Sequence, residues 1–229
     1  MQTARQYALV QGPDHLDDAG DPGGGLRAWA SPDRCYLSGF SHGAAGIAYA
    51  LCRLHELVPD AAYLAAAREA MAFERTLRDP GTGSWLPGTG RSGGLVSWCH
   101  GGPGIGVARL GALPYLDRTD LVADVDSCVE ETLRYGLNGV DHLCCGNLGR
   151  LEFLHSAGLA LGRPDLADTA HGWAGEMAYR ARDGSGFRVS SRLPVTLNHP
   201  GLFQGLAGIG YGFLRLARPH AVPNLLLFE

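Results

Sequence analysis

Lysine is absent from the 229 residues, and all 19 basic side chains are arginine. With the wealth of alanine and glycine, that bias points to a GC-rich genome rather than to a chemistry. Basic residues do not outnumber the 23 acids, and a net charge of -4 leaves no basic footprint for nucleic acid as a partner. No stretch approaches the roughly 18 apolar residues that a membrane-spanning helix needs. The opening MQTARQYALVQGPDHLDD lacks the charged and apolar regions of a secretory signal, so the expected location is cytoplasmic. There is no Cys-x-x-Cys pair, which argues against a zinc finger. In a reducing compartment Cys35, Cys52, Cys99, Cys128, Cys144 and Cys145 are thiols or metal ligands rather than a disulfide framework. The remaining composition, 45% hydrophobic and 18% charged, is that of one globular domain with a substantial core.

What is present is a repeat. SHGAAGIAYAL starts at Ser41, CHGGPGIGVARL at Cys99, CCGNLGRLEFL at Cys144 and FQGLAGIGYGFL at Phe203. Each contains Gly-x-x-Gly before an apolar run, anchored at Gly43, Gly101, Gly146 and Gly205, with intervals of 58, 45 and 59 residues. Such intervals suit a helix pair with loops, not one helix. Between the anchors, Pro59-Asp60 and Pro164-Asp165 open Ala-rich segments that run toward Leu77 and Arg182, a helix-start signal. Leu166, Ala170, Trp173 and Met177 recur at helical spacing, as do Leu121, Val125, Cys128 and Val129. These predict outer helices with one buried face. The runs Ile47 to Leu54 and Ile209 to Leu216 are apolar on most sides and predict inner helices. The expected class is all-α, two concentric helical layers forming an α/α toroid, with Gly-rich loops at Pro80 to Gly94 and Asp183 to Pro194.

The positions before each glycine would converge at one end of such a barrel. They hold His42, His100, Cys145 and Gln204, and one step earlier Ser41, Cys99, Cys144 and Phe203. Zinc takes cysteine and histidine, and three protein ligands leave the open position of a catalytic site. Spacing alone leaves two readings of Cys99, Cys144 and Cys145, as ligands or as small apolar residues. Cys35, Cys52 and Cys128 take the apolar reading. His42 either handles protons or caps the helix it precedes. His171, in HGWAG, imitates the motif but lies midway along an outer helix and is read as structural. Arg150 and Glu152 either line the mouth or pair on a helix surface.

Taken together, SWCHGGPGIG, LCCGNLGRLEFL, SGFSHGAAGIAYAL, GLFQGLAGIGYGFLRLA and the terminal VPNLLLFE resemble the LanC-like cyclase domain of lanthipeptide synthetases, over Ser31 to Glu229. The likeness is greatest to the C-terminal domain of class II (LanM-type) enzymes. The resemblance implies an α/α toroid with a catalytic zinc. It implies a reaction in which a peptide cysteine thiol adds to dehydroalanine or dehydrobutyrine, closing thioether rings in a dehydrated precursor peptide. It assigns the zinc ligands to Cys99, in Trp-Cys-x-Gly, and to Cys144 and Cys145. The family's third ligand is usually histidine; Cys145 in that place matches a Cys-Cys-Gly subgroup of class II. Three thiolates on Zn²⁺ leave a net formal negative charge where two thiolates and a neutral imidazole leave none, giving a weaker Lewis acid but a more nucleophilic bound thiolate. His42 matches the family histidine assigned to proton transfer, and His100 is a further candidate at the substrate site.

The chain also departs from the family. A complete toroid carries about twice the four inner and three outer helices expected from the repeat and the amphipathic segments. The expectation is therefore an incomplete, C-terminal portion: residues 1–30 a poorly structured lead segment, 31–229 the cyclase part, with the N-terminal half of the barrel and the dehydratase domain as missing partners. Two other classes remain beside the cyclase. One is a non-catalytic zinc-containing module that binds a peptide or thiol, and the other a degenerate remnant whose open edges expose apolar helix faces.

Overall fold

Seven α-helices lie among the described residues of the computed structural model, which cover 26–32, 34–190 and 199–229. They are α1 (Ala44–Leu57), α2 (Ala61–Thr76), α3 (Gly102–Ala112), α4 (Arg118–Tyr135), α5 (Asn147–Leu161), α6 (Pro164–Arg180) and α7 (Leu206–Ala217). Residues 1–25 of the expected lead segment, and 191–198, which include the end of the Gly-rich loop expected at Asp183 to Pro194, fall outside the described residues. No strand occurs among the described residues, only isolated bridges such as Leu37 with Gly88.

The glycine repeat has a steric cause. At Gly46, Gly104, Gly149 and Gly208, the second glycine of each pair, a Cβ would collide with the backbone carbonyl of Phe40, Trp98, Leu143 or Leu202. Each of those residues stands six positions ahead of its glycine. The incoming loop therefore folds back over the first turn of the helix, and only a residue without a side chain admits that approach.

The outer helices start on ordinary signals. Asp60 accepts from the Ala62 N–H at 2.8 Å and Asp117 from the Thr119 N–H at 2.9 Å, while α6 opens on Pro164. Each buries one stripe, as 3.6-residue spacing requires: Ala66, Ala67, Ala70, Met71 and Phe73 on α2, Leu121, Val125, Cys128 and Val129 on α4, and Leu166, Ala170, Ala174 and Met177 on α6. Trp173 is half-buried at the edge of the last stripe. By contrast α3 and α5 are buried almost all round.

Packing follows the chain. Helix α1 lies against α2 and α3, α3 against α4 and α5, and α5 against α6 and α7. This gives an inner layer α1-α3-α5-α7 and an outer layer α2-α4-α6, the four and three expected. Between α2, α3 and α4 runs a buried chain of charge. Arg109, fully buried, meets Glu74 at 3.1 Å and Asp124 at 2.9 Å, and Asp124 also takes Arg75 at 2.9 Å. Every buried charge there has a counter-ion, which offsets its desolvation.

The C-terminal segment returns to the inner layer. Trp98 Nε1 donates to the Leu226 carbonyl at 3.1 Å, and the Tyr49 hydroxyl donates to Glu229 Oε1 at 2.8 Å. Tyr211 holds the Pro223 carbonyl at 2.9 Å. Phe228 closes an aromatic cluster over Phe40, Trp98 and Phe203, with centroids 6.1, 6.3 and 6.5 Å away.

Candidate metal centre

The loops that enter the inner helices are tied edge to edge. The Phe40 N–H donates to the Trp98 carbonyl at 3.2 Å, the Cys99 N–H to the Cys144 carbonyl at 3.3 Å, and the Cys144 N–H to the Phe203 carbonyl at 2.9 Å. Phe40 and Phe203 stack on either side of Trp98 with centroids 5.3 and 5.4 Å away. Residues just ahead of four different helices are thereby gathered at one end of the barrel.

Three sulfurs meet there. Cys99 Sγ stands 3.2 Å from Cys145 Sγ, and Cys145 Sγ 3.3 Å from Cys144 Sγ. All three lie within 4.8 Å of one another, the only group of three or more such ligands among the described residues. Cys99 is buried, Cys144 half-buried and Cys145 exposed, so the cluster has a dry side and an open side. A tetrahedral ion with sulfur bonds of about 2.3 Å spaces its thiolates about 3.8 Å apart, a small adjustment from the contacts seen. The set of soft donors suits a thiophilic cation, and the three cysteines could hold a metal ion.

The sulfurs are close enough to perturb one another's protonation. Hydrogen bonding from Cys144 and then Cys145 draws the Cys99 thiol far below the ordinary thiol range. The same contacts push Cys144 far above it, with burial adding to the effect. Cys145 is also raised, the Cys144 contact lowering it while the Cys99 contact and burial outweigh that. The three thiols share their protons through these hydrogen bonds, and three thiolates this close would repel; a bound cation removes that conflict.

The support beneath the sulfurs is dense. Ser97 Oγ donates to the His100 carbonyl at 2.7 Å, accepts from the His100 N–H at 3.2 Å and lies 3.5 Å from Cys99 Sγ, which makes SWCH a closed turn. Gly101 follows at φ 103°, a value that favours glycine. On the other loop, His142 Nδ1 accepts from the Cys145 N–H at 3.4 Å. Asp141, fully buried, accepts from Asn147 Nδ2 and Arg180 at 2.7 Å and from the Arg188 N–H at 2.8 Å. Arg150 joins the two loops, donating to the Val96 carbonyl at 2.9 Å and the Asn138 carbonyl at 2.6 Å. Burial pulls its guanidinium down to about 10.

His42 is exposed and its ring stacks on His100, centroids 4.6 Å apart and planes 17° from parallel. His100 is half-buried and held below the usual imidazole range, by burial first. The structure thus brings His42, His100, Cys99, Cys144 and Cys145 to one end of the barrel. His171 is elsewhere, on α6, with Nε2 3.1 Å from the Leu216 carbonyl. Cys52 and Cys128 are wholly buried, their thiols raised by burial, Cys52 to about 11. Arg150 and Glu152 are both interior, Glu152 pairing with Arg215 at 3.2 Å, so neither pairs on a helix surface. Ser97, Asp141 and His142 escaped the sequence reading although they flank the cysteines, because nothing in their spacing shows that they turn back onto the loop.

Residues 27–227 match the family model described as lanthionine synthetase C-like protein. No curated protein sequence matches the chain. Among solved structures it is similar to nisin cyclase, with a TM-score of 0.63 and 19% identity, over 99% of this chain and 62% of that one. The chain thus spans less than two thirds of the length of that neighbour. At this identity the likeness is one of fold, the helical toroid.

Proposed function

We propose a lanthionine cyclase function for this chain, which belongs to the lanthionine synthetase C-like family by its match over residues 27–227. The observation that carries the reading is the meeting of Cys99, Cys144 and Cys145 sulfurs within 4.8 Å, beside the His42–His100 pair. In this reading residues 31–229 form the C-terminal part of a class II (LanM-type) cyclase domain of the Cys-Cys-Gly subgroup, working in the cytoplasm. Its partners are a dehydrated precursor peptide and the N-terminal portion of the barrel.

Cys99, Cys144 and Cys145 hold zinc, which when bound supplies the positive charge that lets an incoming thiol lose its proton at neutral pH. The chain's own residues do the rest. The turn around Ser97 and the His142 contact fix the directions of the sulfurs. The aromatic floor of Phe40, Trp98 and Phe203 excludes water from below. The peptide thiolate forms its bond to the β-carbon of a dehydroalanine or dehydrobutyrine, the alkene electrons pass to the carbonyl as an enolate, and the α-carbon then takes a proton. His42, exposed and stacked on His100, which follows Cys99 in the chain, delivers that proton, a task suited to imidazole at neutral pH. His100 backs its ring.

Metal analysis of the purified chain and thiol alkylation of a dehydrated precursor peptide test this. One zinc per chain, lost in Cys145→Ala, with substrate thiols disappearing over time, is the expected result. A metal-free, well-folded protein would sink the reading. Peptide binding with every thiol left free would mark a non-catalytic module instead, and the lack of a cooperative thermal transition would mark a degenerate remnant.

A further inference from the structure

His42 sits in a loop with no side-chain cap of its own at the start of α1. What closes that loop is a side chain from the outer layer. Glu74, fully buried near the end of α2, accepts with one oxygen, Oε1, from both the Gly39 N–H at 3.0 Å and the Ala45 N–H at 2.9 Å. Those two donors bracket Phe40, Ser41, His42, Gly43 and Ala44. Its other oxygen faces Arg109 at 3.1 Å, which Asp124 holds in turn at 2.9 Å. At the same end of the loop Gly39, at φ 93°, packs so closely on Cys99 and His100 that a Cβ there would overlap the Cys99 carbonyl. The carboxylate therefore pins the loop at both ends against the turn that carries the metal-site cysteine, and the partial positive charge of the α1 N-terminus favours it there.

A buried glutamate stands at the matching place one repeat later, though with different donors. Glu131 on α4, 57 positions after Glu74 where the glycine anchors differ by 58, is buried and accepts from the Trp85 N–H at 3.2 Å. A Cβ on Gly102, at the start of α3, would strike Glu131 Oε2, and the Gly102 N–H is among the groups that hold its carboxylate. In the third repeat the polarity reverses: the carboxylate, Asp141, is in the loop, and the outer helix supplies Arg180 at 2.7 Å.

We propose that Glu74 is the positioning residue for His42, setting the ring's place over His100, the neighbour of Cys99, without touching substrate. This rests on the reading of His42 as the proton-transfer residue.

The test uses the full chain loaded with zinc, as wild type and as Glu74→Gln, which keeps an acceptor oxygen but loses the charge that faces Arg109. Glu69→Gln, on the same helix where Glu69 meets Arg27 at 3.0 Å on the surface, is the control. In wild type, amide exchange at Gly39 and Ala45 should be among the slowest outside helix interiors, a measurement that needs no variant; fast exchange there overturns the proposal. In Glu74→Gln the two amides should exchange faster, the proton contact between the His42 and His100 rings should weaken, and zinc content should hold. In the thiol-consumption assay kcat should fall about 10- to 100-fold with KM unchanged, as for a catalytic group displaced by an ångström or less. If Glu74→Gln keeps both the ring contact and kcat, Glu74 serves only the fold and the proposal fails. If wild type consumes no thiol, the cyclase reading fails, and ring contact with amide exchange still decides the placement of His42.

Discussion

Three thiols in mutual contact are a poor structural solution by themselves. Cys99 is drawn down while Cys144 and Cys145 are pushed up, so the trio resists holding three charges at once without a cation. Cys52 and Cys128, by contrast, are merely small apolar fillers of the core. A second residue of unusual setting is His155, on α5, 2% exposed and with no hydrogen-bond partner for either ring nitrogen among the described residues. Burial, with His171 and Arg215 nearby, lowers it to about 4. The ordinary imidazole value is about 6.5, so as pH falls the unfolded chain takes up its proton first, and the fold loses stability through the window from about 6.5 to 4. The loss amounts to about 3 kcal/mol at the acid end. Denaturation midpoints followed from pH 7 to 4 should fall steeply for wild type and less steeply for His155→Leu. Equal slopes would show that the proton is not excluded from this site.

At the scale of the element, the glycines divide into two kinds. Gly149 lies beneath the Leu143 carbonyl, whereas around Gly172 on α6 no atom of the described residues lies within 4 Å of an added Cβ. Gly149→Ala should therefore cost about 3 kcal/mol or more, since a backbone atom must move. It should also weaken metal binding, because the displaced loop carries Cys144 and Cys145. Gly172→Ala should stabilise by about 0.5–1 kcal/mol, the ordinary gain in an exposed helix interior. Urea titration of both variants checks the contrast, and a similar loss in each would refute the steric account of the repeat. The same account explains why the inner helices could be located from local pattern. A collision between a side chain and its own chain six residues back is a local constraint, and it leaves a local mark.

At the scale of the molecule, the last residues knit the inner layer together. Leu226 is 1% exposed, its carbonyl takes the Trp98 indole, and Tyr49 binds the segment at Leu227 and Glu229. Removing residues 223–229 should lower stability by about 3–5 kcal/mol, through a lost buried leucine and orphaned Trp98 and Tyr49 donors. Calorimetry reads this directly, and an unchanged melting temperature would show that the segment only decorates the barrel. By itself the sequence determined the helical class, the four glycine-anchored inner helices and the three amphipathic outer ones, because each rests on spacing within a few turns; it singled out Cys99, Cys144, Cys145, His42 and His100 by their place before the repeated glycines, and only the family resemblance gave them roles. The tertiary structure alone decided that Cys99 meets Cys145, that Arg150 bridges two loops and Glu152 is interior, and that Glu74 closes the His42 loop. Those contacts join residues separated by several turns or by whole helices, and a one-sided hydrogen bond across such a distance imposes no period on the chain between.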